Sequence, residues 1–522
     1  MKLDFISLSV IQKALENIAE EMGIVLRRAS FSANCKERLD FSCAIFNSEG
    51  ELVAQAEHIP VHLGAMFSSM DTVLAQYNVN SFNPGDIIIL NSPFSGGTHL
   101  PDISFILPVF IENKLTFFVT NRAHHSDIGG STPGSMPGTS TEIYQEGLII
   151  PPVKLYSKGV ENEDILNLIL SNVRVKEERL GDFRAQRAAL IRGEDRLTEL
   201  ATDYDRDFLL NSVTQLMELS EHSFRSHLGN FPDKTLKFCD YLDSNGITEN
   251  PVKIQVTMNK INDKVNVSFE GTDKQQIGNV NCPKSVVYSC VYYVFRVLTD
   301  PSIMTNAGLF RNIEIGIPVG SLLDPKFPAA VSSGNVETSQ RIVDVLLGAL
   351  AQSFSEIPAA SQGTMNNISL GSTKGNTPFT YYETLGGGTG AGKFYKGTSA
   401  IHSHMTNTLN TPIEAFELIF PFRVKKYAIR KNSGGSGKNT GGDGIEKEIE
   451  CLVDTTVSIQ SERRTFSPYG IYGGQPGAKG ANSVRKRNGE VINLPGRIIT
   501  KLSSGDTLMI KTPGGGGYGK RK

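Results

Sequence analysis

The sequence has 522 residues, of which 39% are hydrophobic and 20% charged, a composition that excludes a disordered chain and suits roughly two to four folded domains. Lys+Arg (52) and Asp+Glu (54) nearly cancel, so no overall charge draws the chain to nucleic acid or to an anionic membrane. No run of about 18 uncharged apolar residues is present, Asp4, Glu16, Glu20 and Glu21 interrupt any secretory signal, and six cysteines without a CxxC pair read as free thiols; the expectation is a cytoplasmic protein.

The first element is an amphipathic helix. Phe5, Leu8, Ile11, Leu15, Ile18, Met22 and Val25 recur at three- and four-residue spacing, and Arg27 and Arg28 near its end suit the helix dipole. Residues 40–50 read as a strand and a Gly turn, with 51–56 as the partner strand. Ile87-Ile-Ile-Leu90 is a short buried strand, and 103–109 and 115–119 form a strand pair across Glu112-Asn-Lys114. Pro108 places the first of that pair at a sheet edge. From about 161 to 228 helices are predicted, one opened by Ile165, Leu166, Leu168 and Ile169, a second over 176–203 and a third over 206–227, then a hairpin over 253–270 turning at Asn262-Asp263, then helices near 283–298 and 338–354. Of 51 glycines, 25 lie between 386 and 522, so the last quarter is expected to be strand and loop with little helix. The fold class read from this is α+β with mixed sheets: a region 1–160 holding the site, a helical region 161–230, an α+β region 231–385 and a Gly-rich region 386–522.

Five of the nine histidines fall between 58 and 125, in company with Asp40, Asp102 and Asp127. Ser95-Gly-Gly-Thr-His99-Leu-Pro-Asp102 is a Gly- and Pro-containing loop, and Asn121-Arg-Ala-His124-His125-Ser-Asp127 follows a strand. Two such loops at strand ends can converge on one cation, and imidazoles with a carboxylate suit Zn²⁺, Mn²⁺ or Fe²⁺. The bland alternative is a set of turn and cap residues, since no tight motif such as HExxH occurs. In a strand His124 and His125 point to opposite faces, so one of them ligates and the other is a supporting or substrate-facing group, with Asp127 on the face of His125. Gly387-Gly-Thr-Gly-Ala-Gly-Lys393 has the GxxxxGK skeleton of a phosphate loop, but Phe394 stands where the Mg²⁺-binding hydroxyl belongs, which favours a Gly-rich turn. No GxSxG elbow is present, Cys43 reads as core, and Glu142 and Glu146 are weaker acid/base candidates.

Several blocks together resemble the hydantoinase B / 5-oxoprolinase family along nearly the whole chain. They are Lys36-Glu-Arg-Leu-Asp-Phe-Ser-Cys-Ala44, Gln55-Ala-Glu-His-Ile-Pro-Val-His-Leu-Gly64, Gly96-Gly-Thr-His-Leu-Pro-Asp102, Arg122-Ala-His-His-Ser-Asp-Ile-Gly-Gly130, Gln145-Glu-Gly-Leu-Ile-Ile-Pro-Pro-Val-Lys154, Gly441-Gly-Asp-Gly444 and Thr512-Pro-Gly-Gly-Gly-Gly-Tyr-Gly519. The resemblance implies the B-type component of an ATP-dependent cyclic-amide hydrolase. A separate hydantoinase A-type subunit, a kinase-like ATPase, binds ATP and phosphorylates a carbonyl oxygen, and the B-type part completes ring opening at a divalent metal. Carried over, the metal ligands fall on His99, Asp102 and His124, with Asp40 as a further ligand or metal-proximal carboxylate. Asp40, His125 and Asp127 are then the candidates for proton transfer or phosphate contact. A second branch of the family, a ketone carboxylase large subunit with a third small subunit, uses the same ligands. A non-catalytic scaffold for the A-type component is the third reading.

Overall fold

The computed structural model describes residues 4–56, 58–373 and 378–521. Its centre is a seven-stranded sheet. In chain order the strands are β1 (Phe41–Asn47), β2 (Leu52–Gln55), β3 (Ile87–Leu90), β4 (Asp102–Ile111), β5 (Lys114–His124), β6 (Val153–Ser157) and β7 (Val160–Glu161), in spatial order β2-β1-β5-β4-β3-β6-β7. Both faces are covered, which is why β1 and β3 are buried at every position. Alternation sorts the side chains. Cys43 and Ile45 of β1 join one core, with the Phe5–Ala29 and Lys176–Asp203 helices. Ala44 and Phe46 join the other, with the Leu63–Gln76, Lys284–Leu298 and Ser339–Leu350 helices.

The Phe5–Ala29 helix starts on Asp4, whose carboxylate accepts the N–H groups of Ile6 and Ser7, each at 3.0 Å. It buries Leu8, Ile11, Leu15, Ile18 and Met22. Gly193 of the opposing helix makes the close approach possible: a Cβ there would meet Met22 Sδ at 2.6 Å and Val119 at 3.0 Å. The helices Glu163–Ser171, Lys176–Asp203 and Arg206–Leu228 and the hairpin Val252–Ile261/Lys264–Ser268 lie where the sequence places them. One expectation fails. β4 is an inner strand, bonded to both β5 and β3. Pro108 is tolerated there because the short β3 ladder ends at Ile88↔Ile106, so on that side no partner reaches position 108.

Residues 236–316 supply a second, four-stranded sheet. A third sheet pairs Phe379–Glu383, Asn367–Ser372, Thr455–Gln460 and Arg497–Leu502, and a five-stranded sheet packs with it over Phe416, Phe420, Phe422, Ile449 and Val457. The glycine runs of this part lie mostly outside the sheets, although Gly444 opens the Gly444–Cys451 strand. They lie side by side and exchange backbone hydrogen bonds, as in Gly442 N to Thr389 O, Gly435 N to Gly515 O and Gly515 N to Gly442 O. A Cβ on Gly515 would stand 2.0 Å from the Thr389 carbonyl oxygen, closer than any real side chain sits. Glycine is therefore demanded there by backbone-to-backbone packing. Gly387-Gly-Thr-Gly-Ala-Gly-Lys393 is one of these runs, and its Lys393 amine donates to Ser355 Oγ at 2.8 Å. Among the described residues no helix is long and apolar enough to cross a membrane, and all six cysteines are free, Cys43 buried in β1.

Candidate metal centre

The site lies at one end of three neighbouring strands, β1, β5 and β4. Asp102 opens β4 and pairs in register with His124, which closes β5. Asp40 immediately precedes β1, and its carbonyl accepts the His124 N–H at 2.9 Å. Directly opposed antiparallel residues share a face, so the three side chains point the same way, toward the core of the Ser339–Leu350 helix. His99 enters from the turn before β4, where its carbonyl accepts the Asp102 N–H at 3.1 Å.

The result is a knot of lone pairs. His99 Nε2 lies 3.0 Å from Asp102 Oδ1 and 3.1 Å from His124 Nδ1, and His124 Nδ1 lies 3.0 Å from the same Asp102 oxygen. All three residues are buried. Separations of this size are those of adjacent ligand atoms around one first-row cation with bonds of about 2.1 Å. The electrostatics at Asp102 and His124 suit a ligand set. Burial works to raise the Asp102 pKa, but His99, His124 and His62 overcome it and hold the carboxylate well below its ordinary value. Burial pushes the His124 pKa down, favouring the neutral imidazole. The donors enclose a cavity of about 20 Å³, lined also by Asp40, His62, Asn335 and Tyr382. That is room for one water or one ion.

Further residues complete the surroundings. Thr98 donates to Asp102 Oδ2 at 2.5 Å. His62 lies 3.5 Å from that oxygen through Nε2 and 2.9 Å from Ser42 Oγ through Nδ1. Arg38, fully buried, lies 3.5 Å from Asp40 and donates to the Tyr382 carbonyl at 3.2 Å. Tyr382 stacks on His124. Asn335 and Val336 reach the cavity from a π-helical turn, Gly334–Thr338. A larger pocket of about 510 Å³ adjoins the small one, since Ile59 and His62 line both, and His58, Tyr293, Arg296 and Asn407 also line the larger one.

Of the residues singled out in the sequence, His99, Asp102, His124 and Asp40 come together. His125 and Asp127 do not join them. His125 follows β5 on the opposite face, with Nε2 2.9 Å from Gln186 Oε1 and its ring edge-on to Phe183. Asp127 accepts the backbone N–H groups of Gly129, Gly134 and Arg174 and pairs with the Arg174 guanidinium at 2.8 Å. Glu142 caps a turn, and the buried Glu146 accepts the N–H groups of Val331 and Ser332. His62, Arg38 and Tyr382 carried no assignment from the sequence. The first two stand inside the quoted Gln55–Gly64 and Lys36–Ala44 blocks, a usable signal. Tyr382 arrives from a strand more than 250 residues beyond β5 and gave none.

The family model Hydantoinase B/oxoprolinase matches residues 4–521. The chain is 41% identical to 5-oxoprolinase 1 of Arabidopsis thaliana over 99% of its own length but only 42% of that relative's. It therefore spans about two fifths of that plant protein. A Pseudomonas sp. protein named for the B-type component of a D-/L-hydantoinase is 32% identical, with 99% of this chain and 90% of the relative covered. Among solved structures, ATP-dependent caprolactamase from Pseudomonas jessenii superposes with a TM-score of 0.91 at 28% identity, covering 100% of this chain and 92% of that one.

Proposed function

This chain belongs to the hydantoinase B/oxoprolinase family, and on that premise we propose that it is the B-type component of an ATP-dependent cyclic-amide hydrolase. In this reading a kinase-like A-type component binds ATP and phosphorylates the amide oxygen, and this chain completes the ring opening. The names of the relatives, two cyclic-amide enzymes and one component of a hydantoinase, support that substrate class and a partner. The observation that carries the reading is the convergence of His99 Nε2, Asp102 Oδ1 and His124 Nδ1 within 3.1 Å of one another.

These three residues would hold a divalent ion, Zn²⁺, Mn²⁺ or Fe²⁺ by donor type. Such an ion supplies a nucleophilic water near neutral pH and polarises an attached oxygen. Thr98 and His62 fix the second Asp102 oxygen, so the first is left to face the ligand position. Asp40, steadied by Arg38, faces the same cavity and takes up the proton released as water adds to the activated carbon. The adjoining 510 Å³ pocket has the size of a small-molecule site and would seat the ring beside His62. His125 and Asp127 brace the 125–134 loop against the Lys176–Asp203 helix and Arg174, outside the chemistry.

The test is Asp102→Asn in the complex co-expressed with its A-type partner, with phosphate and ring-opened product measured in one tube. Wild type should release them in step. The variant should keep substrate-dependent phosphate release while product falls away. Undiminished product would remove Asp102 from the reaction, and product that appears only with added bicarbonate would place the chain in the ketone-carboxylase branch.

A further inference from the structure

A metal-bound imidazole ordinarily has its ring fixed by a hydrogen bond from its other nitrogen to a carboxylate or carbonyl. Here His99 Nδ1 and His124 Nε2 are both buried and have no hydrogen-bond partner among the described residues. His124 is held by an aromatic face instead. Its ring centroid lies 4.4 Å from that of Tyr382, and the two planes are within 18° of parallel.

Tyr382 is itself anchored at several points. Its hydroxyl donates to Asn367 Oδ1 at 2.6 Å. The Asn367 amide donates in turn to Glu337 Oε1 at 2.8 Å and to the Gln460 carbonyl at 3.2 Å. The Tyr382 carbonyl accepts from Arg38 Nη1, and the Arg38 guanidinium carbon lies 4.9 Å from the tyrosine ring centre. Alternation in the Phe379–Glu383 strand explains the division of labour: Tyr381 enters the C-terminal core against Phe416 and Phe420, and Tyr382 faces the site.

We infer that Tyr382 is a positioning residue of the cation site, setting the plane of His124 by stacking where a hydrogen bond would normally do so. The inference rests on the cluster being a cation site. The torsion that turns an imidazole about its Cβ–Cγ bond is broad and nearly two-fold. Stacking restricts it to one plane, and the contact with Asp102 then selects the flip that aims Nδ1 at the ligand position. Arg38 serves two metal-facing groups at once, Asp40 through charge and His124 through the tyrosine.

The test is Co²⁺ titration of the metal-free full chain, followed by its visible absorption, in wild type and in Tyr382→Phe, Tyr382→Leu and Tyr382→Met. Phenylalanine keeps the ring, so affinity should stay within a few-fold and the spectrum should be unchanged. Leucine and methionine should each lose about 10- to 100-fold in affinity, with a shifted spectrum. Methionine fills the space if leucine leaves too large a void for folding. Wild-type affinity and spectrum in the leucine and methionine variants would overturn the inference alone. An equal loss in the phenylalanine variant would also overturn it, moving the role to the hydroxyl and Asn367. Failure of wild type to take up Co²⁺ would bring down the cation reading and the inference with it.

Discussion

Two of the molecule's buried groups of charged and polar side chains are finished differently. One joins the middle of the chain to its C-terminal part. There Arg463 binds Asp240 at 2.8 Å and Asp344 at 2.5 Å, Arg497 binds Glu462 at 2.6 Å, and Asp243 accepts the backbone N–H groups of Arg464 and Phe466. Arg341 lies 3.6 Å from Asp240, Asp344 and Glu462. Each carboxylate there answers a cation or a backbone donor. The other group is the knot of His99, Asp102 and His124, where lone pairs face one another and the Arg38 guanidinium goes to Asp40. Burying charge is costly unless it is paired. The first group is a fastening; in the function proposed above, the second would hold a cation.

The largest expected effects break the two groups in opposite senses. His99→Ala or His124→Ala should reduce turnover of the assembled complex to background and empty the site, while circular dichroism shows the fold retained. Arg463→Met leaves Asp240 and Asp344 buried and short of a partner. It should cost about 3–5 kcal/mol in thermal or denaturant unfolding, with metal content per folded chain unchanged. Next in size is Thr98→Val, which keeps the shape but removes the donor to Asp102. Metal affinity should fall about 10-fold with little change in melting temperature.

The smallest effect lies between the groups. Glu337 accepts from Asn367, the residue that also anchors Tyr382. Burial first, then the nearby Glu462, raises its pKa from 4.5 to about 8. Folding therefore takes up a proton between those values. The associated stability is fully present below about pH 4.5 and is lost as pH rises toward about 8. Glu337→Gln, which has no charge to bury, should melt a few degrees above wild type near pH 8 and alongside it near pH 4.5, as scanning calorimetry at the two pH values will show.

Much of the site was legible in the sequence because it is local. His99 and Asp102 share one loop, and His124 is brought to them by the hairpin that 103–109 and 115–119 announce. The opposite faces of His124 and His125 followed from strand alternation. Strand order was not legible: Pro108 spoke for an edge because a sequence cannot tell that β3 stops short. Tyr382 was silent for a related reason, since an aromatic residue in a strand ordinarily reads as core and only the packing of a distant sheet brings this one to His124. The glycine runs showed their composition but not their cause, which is contact between backbones far apart in the chain.

The most direct measurement is the metal content of the purified chain, by inductively coupled plasma mass spectrometry, for wild type, Asp102→Asn and His124→Ala. Close to one divalent ion per wild-type chain, and a small fraction of that in both variants, is the expected result. Full occupancy in the variants, or an active wild-type complex with no metal at all, would contradict the assignment of His99, Asp102 and His124.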